Sequence, residues 1–509
     1  MSPLPVVMGV LSQVPDTQIE APSIEWHALA PMLCVFAAAV AGVLIEAFAK
    51  PQLRRPLQLP VGLAGMLGAL VAVGQLWGER ALLARGAVAL DGPALFMQAT
   101  LVVLAAAALL LLAEPGNASD PDAAVTRALP SEAFPLTMFA VGGMMLFVSA
   151  TNLLLLFVAL EVLSLPLYLL AGLARRRRVL SQESAVKYFL LGAFSSAFFL
   201  YGLALVYGHA GTVSYSGIAE ASVAVGKNDV LLYAGLALLA VGLLFKVGAV
   251  PFHSWTPDVY EGAPTPVTAL MAAATKVAAF GGLVRVLFVA FGRLSWDWRP
   301  GVWAVAILTM VIGAVVAVTQ QDVKRMLAYS SIAHAGFMLT GVAAANQVGL
   351  RGVLFYLLAY GFTVLGAFGV VTLVRDKDGE ATHLSKWQGL GRRSPIVAGV
   401  FALFLFALAG IPLTSGFAAK FAVFEAAVEG NATPLVIVGV VTSAIAAFFY
   451  ARVVVLMFFQ EPAADGPEVV LPSSYTAAAL GLALAITVLL GVLPGQILRL
   501  ADEAALFVR

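Results

Sequence analysis

Five ionisable side chains stand inside or beside long apolar runs. Glu161 lies in LLLLFVALEVLSLPLYLL, Lys246 in LLFKVGAVPFHSW, Lys276 in TALMAAATKVAAFGGLVRV and Lys420 in LAGIPLTSGFAAKF, while Lys187 sits nearer the end of its run. A charge at the centre of a bilayer costs at least about 2.5 kcal/mol, so such residues are expected to face protein or water and to be functional. The residue types suit proton transfer. Burial disfavours the charged form of an amine, and an approaching carboxylate restores it, so a buried lysine takes up and gives up a proton as a carboxylate moves. Arginine stays protonated and cannot serve.

Glu161 precedes Arg175 by fourteen residues, and Lys187 follows Arg178 by nine. At about 1.5 Å per residue these depths are about 21 and about 13 Å, so a Glu161–Lys187 pair is expected within reach of two long side chains. The plainer alternative is a static ion pair fastening two helices, which leaves Lys246, Lys276 and Lys420 without a role. His253, in VPFHSWTPDVYEGAPTP, stands at a membrane edge where a titrating group passes protons or simply packs. His334, in YSSIAHAGF, has the same two readings. Glu46 and Arg285, near the ends of their runs, are expected to snorkel to the interface. The run Arg175 to Arg178 is explained by anionic lipid and topology.

The elements that must hold these residues are membrane helices. Hydrophobic residues make up 61% of 509 positions, charged residues 11%, and mean hydropathy is +0.96. The apolar runs predict an all-α polytopic membrane protein with about fourteen spans, near 27–49, 57–77, 94–113, 134–150, 152–173, 184–208, 229–250, 265–291, 300–319, 326–345, 350–374, 395–428, 434–459 and 473–494. The stretch 395–428 is too long for one straight span. Arg54, Arg55, the Arg175–Arg178 run, Lys324, Arg325, Arg375, Lys377, Lys386, Arg392 and Arg393 all fall in odd-to-even loops. By the positive-inside rule that side is cytoplasmic, which puts both termini on the periplasmic or extracellular side. Residues 1–26 lack the basic start of a cleaved signal peptide and read as a short exposed lead or a small membrane-associated segment, with 27–509 as a single transmembrane domain.

Two segments five apart share a pattern. Lys246 precedes Gly248 and Pro251 in the seventh, and Gly410, Pro412 and Gly416 precede Lys420 in the twelfth. Paired broken helices point to two inverted five-helix repeats, near 134–291 and 300–459, with an ion path between them. The bland reading is that Pro and Gly are frequent in membrane helices; a lysine at both breaks argues against it. A net charge of +1 argues against nucleic acid, and the single Cys34 excludes an intramolecular disulfide or a cysteine-held cluster. No phosphate loop, dinucleotide fingerprint or HExxH motif occurs, and no redox cofactor or metal is expected in this polypeptide.

The stretch KVGAVPFHSWTPDVYEGAPTPVTALMAAATKVAAF closely resembles the signature of antiporter-like membrane subunits. VKRMLAYSSIAHAGF, LFVALEVLSLPLYLLAGL and LAGIPLTSGFAAKF resemble the family's other blocks, so the likeness covers roughly residues 90–460. That family holds subunits L, M and N of respiratory complex I (NADH:quinone oxidoreductase) and the large subunits of Mrp-type cation/proton antiporters. Three features resemble its subunit N branch. The stretch ESAVKYFLLGAFSSAFFLYGLALVYGHAGT is similar to that branch's sixth helix, Lys420 stands where subunit M carries glutamate, and no long lateral helix follows the fourteenth segment.

The resemblance implies a proton-translocating membrane-arm subunit that couples electron transfer from NADH to quinone to proton pumping. Glu161 and Lys246 would be the switch pair of the input half, Lys187 its modulating partner, Lys276 the central relay and Lys420 the exit group. NADH, FMN, iron–sulfur clusters and quinone would belong to partner subunits. The partners implied are the other membrane-arm subunits, among them subunit M and small helical subunits such as K, the peripheral arm indirectly, and the lipid of a bacterial inner membrane. The competing readings are an Mrp-type antiporter subunit, a membrane subunit of a related hydrogenase complex, or a scaffold that conducts nothing.

Overall fold

The computed structural model describes residues 25–114, 129–174, 178–224, 229–376, 379–462 and 466–508. The N-terminal lead up to residue 24, the cations Arg175, Arg176 and Arg177, and Lys377 lie outside them. In chain order the principal helices are α1 (Trp26–Phe48), α2 (Pro51–Gln75), α3 (Gly92–Leu112), α4 (Ala133–Ser149), α5 (Leu153–Ala171), α6 (Arg178–Ala210), α7 (Val230–Val247) and α8 (Trp255–Gly262). They continue with α9 (Thr265–Ala290), α10 (Ser295–Thr319), α11 (Val323–Ala343), α12 (Gln347–Val371), α13 (Pro395–Ala409), α14 (Ser415–Glu429), α15 (Thr433–Phe459), α16 (Ser474–Val492) and α17 (Pro494–Ala504). Twelve helices among the described residues are long and apolar enough to cross a membrane. The expected spans 134–150 and 395–428 take other forms: the first is the 17-residue α4, and the second is divided into α13 and α14. The chain is therefore a multi-pass helical membrane protein.

Capping residues set several starts. Asp91 accepts from the Ala94 N–H, Asn152 from Leu155, Asp322 from Lys324 and Arg325, and Asn346 from Gly349. Each satisfies a backbone donor that the first helical turn leaves without a partner.

The helices sort into a sheathed centre and an outer rim. The apolar stretch of α9 is wholly buried, and α11 and α12 nearly so, whereas α1, α6, α10, α15 and α16 bury only about a third of theirs. Small residues such as Ala272, Ala273, Ala274, Ala278 and Ala279 let neighbours close in on α9. Two π-helical turns, Met271–Thr275 and Val286–Ala290, flank its regular segment Lys276–Arg285. Both ends of that segment therefore carry a charged side chain at the middle of the molecule.

Candidate functional site

The site is built on two helix breaks with the same backbone design. At the end of α7, Gly248 adopts a left-handed conformation (φ 74°), its N–H donates to the Phe245 carbonyl, and the Ala249 N–H donates to Leu244. At the end of α13, Gly410 does likewise (φ 83°), with its N–H on Ala407 and the Ile411 N–H on Phe406. Both are Schellman terminations, which consume two of the last carbonyls and leave others open. Those open carbonyls attract cations, because the helix dipole ends there.

Lysines occupy them. Lys276 of α9 donates to the Val247 carbonyl at 3.0 Å. Lys420 of α14 turns back over the break and donates to Ala409 at 2.8 Å, to Leu408 at 3.3 Å and to Ser443 Oγ of α15 at 2.7 Å, with the Phe337 ring 4.8 Å away. Gly410 packs directly against the Lys420 stem, where a Cβ would stand 3.0 Å from its Cδ.

Lys246 lies in the last turn of α7. Its ammonium donates to Ser164 Oγ at 2.8 Å and to the Tyr188 hydroxyl at 3.2 Å, under the rings of Tyr168 and Tyr188. All three lysines are buried, and among the described residues none has a carboxylate at ion-pair distance. Glu161 is within electrostatic range of Lys246 but does not touch it, and its Oε1 is buried without a hydrogen-bond partner.

His334 of α11 is buried beside two tyrosine hydroxyls. Its Nδ1 is 2.8 Å from the Tyr356 hydroxyl and its Nε2 3.4 Å from that of Tyr450, which in turn bonds Ser330. It lies in electrostatic reach of both Lys276 and Lys420. His253 is half-buried in the turn between α7 and α8, its Nδ1 has no partner, and desolvation holds its imidazole below the ordinary histidine value.

Three expectations are corrected. Lys187 does not pair with Glu161: it lies at the rim of α6, where Nζ contacts Asp258 of α8 and Glu183 at 2.7 Å each. Arg285 does not snorkel. Both it and Asp91 are fully buried, joined by two 2.7 Å hydrogen bonds, with Nε on the Val148 carbonyl and the guanidinium over Phe507. Lys324 is no loop cation. It is buried at the start of α11, donating to the Ala263 carbonyl at 2.8 Å, with Glu380 at 3.8 Å. Glu46, for its part, accepts from the buried Gln58 at 2.7 Å.

Sequence reasoning misses Ser164, Tyr188, Asp258 and Ser443 because hydroxyls in apolar helices and a carboxylate at a membrane edge carry no distinctive spacing. Asp258 alone had a usable signal, lying within the Pro-rich stretch after the break. Burial acts to raise its carboxyl, but hydrogen bonds from Lys187 and Arg325 outweigh that and hold it below the ordinary aspartate value. Among the described residues no group of histidine, cysteine or carboxylate side chains is arranged to hold a metal.

Known proteins resemble this chain in sequence and fold. Residues 150–446 match the family described as NADH:quinone oxidoreductase/Mrp antiporter, transmembrane. NADH-quinone oxidoreductase subunit N of Parafrankia sp. (strain EAN1pec) is 60% identical, over 97% of this chain and 98% of its own. A chain of respiratory complex I from Thermus thermophilus with bound aureothin is 33% identical and superposes with a TM-score of 0.78, covering 93% of this chain and 99% of that one. A chain of the Mrp complex from Dietzia sp. DQ12-45-1b, 24% identical, shares the fold with a TM-score of 0.80 over 95% and 97%. Identity at this level along nearly the whole length, on a scaffold with two lysine-capped breaks, means that the chain belongs to the NADH-quinone oxidoreductase subunit N branch of the NADH:quinone oxidoreductase/Mrp antiporter family.

Proposed function

We propose that the chain is the proton-conducting membrane-arm subunit of an NADH:quinone oxidoreductase, with Glu161, Lys246, Lys276, His334 and Lys420 as successive stations. The observation that carries it is the nearness of the buried groups to one another. The ammonium of Lys276 binds the carbonyl of the residue next to Lys246, and His334 lies in reach of both Lys276 and Lys420. Glu161 adjusts the first lysine, and Lys420 is the exit group. Lys187 modulates from the rim through Asp258 rather than by contact with Glu161, and His253 is a secondary group at the mouth. The chain does no redox chemistry itself: NADH, FMN, iron–sulfur clusters and quinone sit in partner subunits, with subunit M and small subunits such as K beside it. It lies in a bacterial inner membrane with both termini on the periplasmic side.

The fourteen expected spans form one domain, with repeats near 134–291 and 300–459 inserted in opposite senses. Matching pairs of neighbours favour this: α4 packs on α5 as α10 packs on α11, and α6 on α7 as α12 on α13. The identical backbone design of the two breaks favours it as well.

Proton pumping driven by NADH in membrane vesicles tests the reading, with Lys276→Ala in the assembled enzyme. Pumping is expected to fall severalfold or more while the complex still assembles. Undiminished pumping by an assembled Lys276→Ala enzyme would leave only the scaffold role.

A further inference from the structure

Two adjacent residues of α6 join the solvent-accessible rim to the buried start of the lysine row. Tyr188 has no exposed surface, and its hydroxyl lies 3.2 Å from Lys246 Nζ while its ring centroid lies 5.1 Å away. A phenol oxygen accepts from an ammonium, and an aromatic face attracts it, so both parts of the side chain favour the charged lysine. Lys187, one residue earlier, points the other way. Its side chain is 40% exposed and paired with Asp258.

Both residues are gripped by the same short helix. Trp255 of α8 stacks flat on Tyr188, with centroids 4.7 Å apart and planes within 7°. The indole N–H donates to the Phe245 carbonyl at 2.9 Å, which ties Trp255 to the turn that carries Lys246. Three residues on, Asp258 holds Lys187 at 2.7 Å and Arg325 of α11 at 2.8 Å, and its carbonyl accepts from Ser184 at 3.0 Å. Tyr168 closes the far side, edge-on to Tyr188 at 4.6 Å. The groups facing Lys246 are thus Ser164, Tyr168 and Glu161 from α5 and Tyr188 from α6, with Lys276 of α9 one carbonyl away.

We infer that the grip of Trp255 and Asp258 on the Lys187–Tyr188 pair sets the contact between the Tyr188 phenol and Lys246, which makes Tyr188 and Asp258 positioning residues for the first relay lysine. This rests on Lys246 being a relay group. An open Lys187–Asp258 pair removes one of the ties between α6 and α8, slackens the Tyr188 contact and weakens the hold of Lys246 on its proton. The rim ion pair is then a control on proton release that acts through one tyrosine.

The test uses the assembled enzyme in membrane vesicles, with NADH-driven pumping followed against pH for Tyr188→Phe, Tyr188→Leu, Asp258→Asn and the double variants. Losing the ring and the hydroxyl together is expected to move the alkaline limb of pumping to lower pH by about one unit, and losing the hydroxyl alone by about half that. Asp258→Asn moves it the same way, and adding Asp258→Asn to Tyr188→Leu moves it no further. An unmoved limb in either Tyr188 variant, or shifts that simply add in the double variant, would overturn the inference. Should Tyr188→Leu fail to assemble, Tyr188→Phe with and without Asp258→Asn carries the same comparison. Lys246→Ala separates the two levels. Full pumping by it removes the relay role itself, whereas lost pumping beside an unmoved limb in the Tyr188 variants removes the grip alone.

Discussion

Lys276 and Arg285 begin and end one buried segment of α9, yet their surroundings differ in kind. Lys276 is bound to a neutral carbonyl, whereas Arg285 is locked by two hydrogen bonds to Asp91. A lysine among neutral partners releases its proton without stranding a carboxylate, but a bidentate arginine–aspartate pair is fixed in charge and in place. Lys276→Arg should therefore abolish pumping in an enzyme that still assembles, as vesicle assays would show, because the new cation cannot discharge. Arg285 calls for the opposite test. Breaking a buried pair from one side costs about 3–5 kcal/mol. Asp91→Asn or Arg285→Gln should each lower the thermal midpoint of the solubilised complex, and the double replacement should recover part of the loss. Equal destabilisation by the double variant would show that the pair is not what matters there.

The two breaks matter at the scale of elements because they end a helix where an ammonium can sit. Left-handed backbone costs a residue with a Cβ about 1–2 kcal/mol, and a Cβ on Gly410 would also crowd Lys420. Gly410→Ala is expected to reduce both stability and pumping, whereas Gly399→Ala, a residue of α13 with open space around it, should reduce neither. The α6–α8 junction has its own pH signature. Asp258 has a depressed carboxyl, so its ion pairs stabilise the junction fully above the unfolded aspartate value of about 3.9 and lose that contribution as pH falls through the lower folded value. Amide exchange in α8 should therefore stay slow from neutral pH down to about pH 5 and quicken only below about pH 4.

Much of this scale is legible in the sequence. Gly248, Gly410 and the lysines beside them stand out against apolar runs, and the excess length of 395–428 announces the division into α13 and α14. Depth along a helix, however, carries no information about direction around it. Glu161 and Lys187 are therefore expected together although Lys187 turns to Asp258. Arg285 reads as a snorkelling residue because its partner lies 194 positions away, and Lys324 reads as a loop cation because nothing local reveals the carbonyl that buries it.

In the molecule as a whole, the apolar rim helices insulate a centre formed by α9, α11 and α12, which carries Lys276 and His334, with Lys246 of α7 and Lys420 of α14 also buried. Moving one charge against 100 mV takes about 2.3 kcal/mol, and a change of about two units in a lysine's proton affinity supplies as much. On the proposed reading, a displacement of Glu161 or of the α8 grip that changes a lysine's proton affinity by about two units would be enough to drive the transfer, provided that the stations are joined. Side chains alone leave gaps between them that water must bridge. A map of the assembled enzyme fine enough to resolve internal water tests this most directly. The account predicts ordered water linking Lys246, Lys276, His334 and Lys420 into one hydrogen-bonded chain. A dry apolar gap between any two of them in every state of the working enzyme would contradict it.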